Sequence, residues 1–257
     1  MISVKDKGVL NMLTDCVNVI IDGFPDYLHK LSLAERPAIP SPKRQIDTTQ
    51  VKGRLGSLVR RYSYEDIEFS LNFNYLEEVE EYQSFKEKFY IIRNWLNQAK
   101  ELQFSDEPNI KYIIQNIDIE DAENDIIEWG SFTAKVTCKP FGRLVEDVPI
   151  IVNQPNTVEL LNNAFTDSYP LLILTPSQVN CTIVVNDKRF IFQGITVGQD
   201  IYIDSELMLV YTKQTDGDIL DLSNKMVSLE YPVLTPEVNT LVCTNISKLQ
   251  VFRNAMR

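Results

Sequence analysis

The chain has 257 residues, 25 Lys and Arg against 36 Asp and Glu for a net charge of −11, and a hydrophobic fraction of 44%. That balance is globular, which excludes a disordered or fibrous chain, and the length predicts two domains of ordinary size. The acidic surplus argues against a duplex-binding surface, and no apolar run reaches the ~18 residues that cross a bilayer.

The start, Met1-Ile2-Ser3-Val4-Lys5-Asp6-Lys7, lacks the apolar core of a signal peptide, so synthesis in a cytoplasm is expected. Residues 17–21 form a β-branched run closed by Asp22-Gly23. Residues 46–60 predict a long hairpin turning near Gly53-Arg54-Leu55-Gly56, whose glycines permit positive φ. Residues 67–73 alternate strictly, as a half-buried strand does. Between 77 and 100, Val79, Tyr82, Phe85, Phe89, Ile92 and Leu96 recur at spacings of three and four, which predicts an α-helix lying on a sheet. Trp95 and Ile91 widen that stripe, and Asn74 with Glu77 reads as a capping box. Strands are predicted at 112–119 and 132–138.

Beyond Pro140 no helical period is visible. Short runs at 171–174, 181–185, 190–192, 201–203, 207–211, 240–243 and 248–252 alternate with turns such as Asn186-Asp187-Lys188 and Asp216-Gly217-Asp218. That spacing predicts a β-sandwich. Pro140, Gly142 and Pro149 mark a boundary, giving domains 1–145 and 146–257 in a mainly β chain.

Catalytic constellations are sparse. His29 is the single histidine, so a Ser-His-Asp triad would have to be built on it, and no nucleophile elbow lies nearby. It reads as a surface or turn residue. Cys16, Cys138, Cys181 and Cys243 form no C-x-x-C pair and read as buried free thiols. Asp216, Asp218 and Asp221 fail the calcium-loop pattern. Asp200, Asp204 and Glu206 cluster on a strand, the weak basis for a glycosidase. We expect no catalytic, metal-binding or cofactor-binding residues.

Charge segregation is more informative. Lys43, Arg44, Lys52, Arg54, Arg60 and Arg61 face one acid, Asp47, within residues 43–61. Glu65, Asp66, Glu68, Glu77, Glu78, Glu80, Glu81 and Glu87 then stand against Lys86 alone. Those six basic residues, with Glu77, Glu78, Glu80 and Glu81, are the candidate oligomer interface. A basic hairpin meeting an acidic neighbour is a heterologous contact, which closes into a ring if its rotation allows.

The order of basic hairpin, alternating strand and aromatic-rich helix resembles the distal tail protein (Dit) family of siphophages. So does Val136-Thr137-Cys138-Lys139-Pro140-Phe141, which looks like the end of that family's ring-forming domain. In the second half Ile183-Val184-Val185-Asn186, Ile201-Tyr202-Ile203-Asp204-Ser205-Glu206 and Tyr231-Pro232-Val233-Leu234-Thr235-Pro236 with Asn239 look like the family's galectin-like sandwich. Glu237 departs from the pattern, standing where the family often has Gly.

The resemblance implies an N-terminal sandwich- or barrel-like domain with one long helix and a projecting hairpin, followed by the galectin-like domain. It implies a hexameric ring in the virion tail tip, assembled in the host cytoplasm. That ring would join the tail tube protein to the tail-associated lysin or fibre and to receptor-binding or baseplate proteins, with DNA passing through unbound and no membrane contact. A carbohydrate-binding protein acting through the C-terminal sandwich is the second expectation.

Overall fold

The structure is a computed structural model and describes residues 17–53, 55–75, 82–119, 123–125, 129–214 and 216–256. The chain divides into two compact units, Met1–Gly142 and Arg143–Arg257.

The first unit is built on a curled antiparallel sheet. Its strands are β1 (Val19–Ile21), β2 (Phe24–Pro25), β3 (Leu31–Leu33), β6 (Ile67–Tyr75), β7 (Glu101–Phe104), β8 (Ile110–Ile119), β9 (Glu123–Asp125) and β10 (Trp129–Cys138). They run in the order β2-β1-β7-β8-β10-β6-β3, with β9 on β10. The alternation of β6 turns Ile67, Phe69, Leu71, Phe73 and Tyr75 inward and Glu68, Ser70 and Asn74 outward. β6 and β10 pair from Cys138↔Ile67 to Gly130↔Tyr75.

Helix α1 (Tyr82–Asn97) lays Ile92 and Leu96 into this core, with Phe89 and Trp95 packed at its rim. The Phe89 ring meets Phe132 edge-on at 5.4 Å between centroids. Two expectations are corrected here. Asn74 is no N-cap, because it lies inside β6, paired with Ser131 on one side and Ser32 on the other. Ile91 does not widen the buried stripe but is 58% exposed, since it sits one residue, about 100°, off the buried line. The helix ends at Asn97, three residues before the expected end, and Val79 and Glu77 lie outside the described residues. Beyond it, the Asp22 carboxylate accepts the backbone N–H groups of Lys100 and Glu101, tying the helix exit to the β1–β2 turn.

The basic hairpin forms a sheet of its own, β4 (Arg44–Thr49) against β5 (Leu58–Tyr64). Gly53 and Gly56 near its tip hold φ of +84° and +81°, the left-handed region that glycine enters without strain.

The second unit is a two-sheet sandwich. It starts with β11 (Arg143–Leu144). One sheet contains β12 (Ile150–Asn153), β14 (Leu171–Pro176), β17 (Ile201–Asp204), β18 (Leu209–Lys213), β19 (Ile219–Asp221) and β21 (Ile246–Phe252). Its order is β12-β21-β14-β17-β18-β19. The other sheet is β13 (Thr157–Asn162), β20 (Glu237–Thr244), β15 (Asn180–Val185) and β16 (Lys188–Gln193), in that order. Leu172, Ile203 and Leu249 from the first sheet share one core with Ile183, Phe190 and Leu241 from the second.

The β15–β16 turn puts Asn186 and Asp187 at φ of +47° and +69°, as a two-residue hairpin turn of primed type requires. Leu207, expected in a strand, stands instead in the β17–β18 turn, which Asp204 closes by accepting the N–H groups of Glu206 and Leu207. Asn239, fully buried, fastens the segment before β20: its side chain accepts the N–H of Thr235 at 2.9 Å and donates to the Thr235 carbonyl at 2.9 Å.

Candidate assembly surface

The hairpin stands apart from the core in every physical sense. All described residues from 43 to 63 are exposed. Its root is held by the Glu65 N–H donating to the Lys43 carbonyl at 2.8 Å and by Tyr64, whose ring meets Phe141 at 4.8 Å. The Arg44 guanidinium donates through Nε to the Tyr62 carbonyl and lies 5.4 Å from the Tyr64 ring. Cross-strand pairing sets Ile46 opposite Arg61, Asp47 opposite Arg60, Thr48 opposite Val59 and Thr49 opposite Leu58. Lys43, Arg44, Lys52, Arg60 and Arg61 therefore share one exposed ribbon. Arg54, Glu77, Glu78, Glu80 and Glu81 lie outside the described residues.

An isolated two-stranded hairpin is marginal in water. This one also exposes Ile46, Val51, Leu58, Val59 and Tyr62. Of the acids that follow it, Glu68 is already engaged by Lys135 at 2.8 Å, both groups about half exposed.

The remaining candidate residues have structural partners. Arg143 holds Glu206, and the Thr175 hydroxyl donates to Asp200. Asp204 closes its turn, so the three acids of the glycosidase reading are occupied by the fold rather than facing one another across a cleft. Burial pushes the Cys138 and Cys181 thiols up to about 12 and Cys243 to about 11, which leaves them protonated and poor nucleophiles. His29, in a 3-10 turn (Asp26–His29), packs its ring 4.4 Å from that of Trp95, and burial lowers its pKa.

Two features were not read from the sequence. Asp26 is fully buried, and its Oδ2 accepts the Val19 N–H at 3.2 Å while Oδ1 has no hydrogen-bond partner among the described residues. Desolvation raises its carboxyl to about 6, partly offset by backbone N–H groups. No local pattern marks it, because the amide it meets lies across a turn. On the outer face of the six-stranded sheet, Tyr202 and Tyr211 stack at 5.0 Å with planes 10° apart, and Lys213 Nζ stands 4.7 Å from the Tyr202 ring centre. A concave site of about 620 Å³ beside them is lined by Gln199, Lys213, Gln214, Asp216 and Leu220. That pairing needed the strand register, which the sequence pattern leaves open.

Residues 25–138 match the family model described as phage tail protein RIFT-related domain, a span that contains the hairpin and α1. No curated protein matches the sequence. Among solved structures, the chain is similar to the Dit protein of phage SPP1, described as a paradigm of the hub adsorption apparatus in phages infecting Gram-positive bacteria. The TM-score is 0.70 at 14% identity, over 91% of this chain and 97% of that one, which establishes a shared fold. Two structures of the phage P2 baseplate in its activated conformation, with Ca and with Sr, give TM-scores of 0.47 and 0.45 at 11% identity. They cover 93% and 91% of this chain and 98% and 96% of theirs. The chain thus carries a match to a phage-tail domain over residues 25–138, the span that holds the exposed hairpin, and shares its fold with SPP1 Dit over 91% of its length.

Proposed function

We propose that the chain is a hub of the tail tip, six copies closing into a ring through the basic hairpin. In this reading residues 1–145 form the ring. Residues 146–257, as a galectin-like sandwich, dock the neighbours, which are the tail tube protein, the tail-associated lysin or fibre and the receptor-binding or baseplate proteins. The observation that carries it is the hairpin: a basic, partly apolar ribbon exposed along its length, inside a phage-tail domain. Residues 43–61 hold six basic side chains and one acid in a chain of net charge −11, so the complementary surface is another copy of the same chain. The acidic remainder also suits a lumen that DNA crosses without sticking.

One exposed ion pair contributes only ~0.2–1 kcal/mol, but a closed ring repeats the contact at every interface. Arg54→Glu with Arg60→Glu is expected to shift assembly to higher concentration while leaving the monomer folded, and raised salt to act the same way. Sedimentation velocity over a concentration series checks this. Superimposable curves for the variant and an assembled wild type would remove the hairpin from the contact.

Carbohydrate binding by the second unit is the second reading, favoured by the stacked Tyr202 and Tyr211 beside the amide-lined concavity. Glycan-array binding that disappears in Lys213→Ala with Gln214→Ala would support it, and a blank array would not.

A further inference from the structure

The turn between β17 and β18 carries two large apolar side chains into solvent: Leu207 is 69% and Met208 68% exposed. Exposed apolar residues scattered singly are ordinary, but these two are adjacent and one of them is strained. Met208 holds φ of +53°, in the left-handed region that Gly and Asn enter most readily. Among the described non-glycine residues with positive φ, it alone is apolar. The surrounding structure fixes this turn from several sides. Asp204 accepts the N–H groups of Glu206 and Leu207 at 3.1 and 3.0 Å. Ser205, fully buried, donates its N–H to the Pro170 carbonyl at 3.1 Å. The Glu206 carboxylate is held by Arg143, and both of those side chains are mostly buried. Strain that the fold maintains in this way collects where a loop has something to contact.

We infer that Leu207 and Met208 are an anchor by which the second unit docks a different protein of the tail tip, one offering an apolar cleft with a basic rim. This rests on the docking role proposed above for residues 146–257 and adds its point of contact. A braced turn loses little freedom on binding, and Met beside Leu fills a cleft that Gly or Asn in the same turn would leave empty. Charge selects the occupant. The second unit, Arg143–Arg257, has 8 Lys and Arg against 13 Asp and Glu, a net charge of −5. A second copy of that unit would bring like charge to the turn, and its concave site, lined by two Gln, Lys213, Asp216 and Leu220, is no receptor for two apolar side chains. The basic hairpin of another copy is engaged by the ring in the reading above. The complement is therefore a different chain, apolar within its cleft and basic around it.

The test uses phage particles produced with the full chain. In one arm Met208 is replaced by the photo-crosslinker benzoylphenylalanine, the particles are irradiated, and the cross-linked peptides are identified by mass spectrometry. A cross-link from position 208 to a different protein is expected. Cross-links only to another copy of this chain, or none, would overturn the inference. In the other arm Leu207→Asn with Met208→Asn removes the apolar pair while Asn suits the left-handed position. The purified variant is expected to unfold at no lower urea concentration than wild type, and its particles to hold on the order of tenfold less of the cross-linked protein. Full retention of that protein would also overturn the inference, while leaving the hub reading in place. If the wild-type chain is itself missing from purified particles, the hub reading fails, and the inference with it.

Discussion

Two residues hold the fold in conformations that ordinary chemistry disfavours, and each makes a measurable demand. Glu237 adopts φ of +79°, the left-handed region that favours glycine. A non-glycine residue is strained there by about 1–2 kcal/mol. Its backbone carbonyl, which Asn239 donates to, survives any substitution, so Glu237→Gly releases strain without removing that contact. Part of the gain is returned as added freedom of the unfolded chain, leaving a stabilisation of about 0.5–1 kcal/mol by urea denaturation; a loss of stability would show that the Glu237 side chain matters more than its φ. Asp26 is the second case. Its folded pKa of about 6 lies above the ordinary 3.8, so burial of the charge opposes folding. Below about 3.8 both states hold the proton and there is no penalty. As pH rises, the unfolded chain ionises first and stability drains until about 6, after which the full penalty of roughly 3 kcal/mol persists. Asp26→Asn removes this dependence. Its stability relative to wild type is expected to climb between pH 4 and pH 7, and a pH-independent difference would contradict the buried ionisation. Glu237 was visible in the sequence as a departure from a pattern. Asp26 was not, because its partner amide becomes a neighbour only when β1 and the 3-10 turn fold together.

At the scale of elements, periodicity carried far where a side is buried and failed where ends are decided by neighbours. The alternation in β6 and the spacing of Phe89, Ile92 and Leu96 translate directly into inward faces. Hydrophobic patterning reports which side meets the core, and the core here is continuous from sheet to helix. The same reasoning overextended the helix stripe to Ile91 and assigned Asn74 a cap, because an apolar residue beside the stripe and a polar one before it look alike in either conformation. Short strands such as β2, β3 and β19, of two or three residues, carry too few residues for a period and exist through pairing with their neighbours. The corrected helix has a sharp consequence. Leu96→Ala opens a cavity in the core and is expected to destabilise the protein by about 2–5 kcal/mol. Ile91→Ala, on the solvent side, is expected within about 0.5 kcal/mol of wild type. Comparable losses at both positions by thermal or chemical denaturation would mean that the helix is rotated from this description.

For the whole molecule, the sequence conveyed a mainly β chain with one long helix, a hairpin and a sandwich, and the resemblance of its element order to Dit proteins agrees with the phage-tail domain at residues 25–138 and with the fold shared with SPP1 Dit. The proposed assembly surface was legible only as charge segregation. Exposure on both faces of the hairpin is a property of strand register, which no composition reveals. The proposal is that the basic, apolar hairpin of one copy meets the acidic remainder of another, and closure of that contact into a ring is its central claim. Native mass spectrometry of the full-length protein over a range of concentrations tests it most directly. The account predicts a species of six times the 29.6 kDa chain that falls to the monomer as salt is raised or the hairpin charge is reversed. A monomer at every concentration, or an assembly indifferent to both treatments, would contradict it.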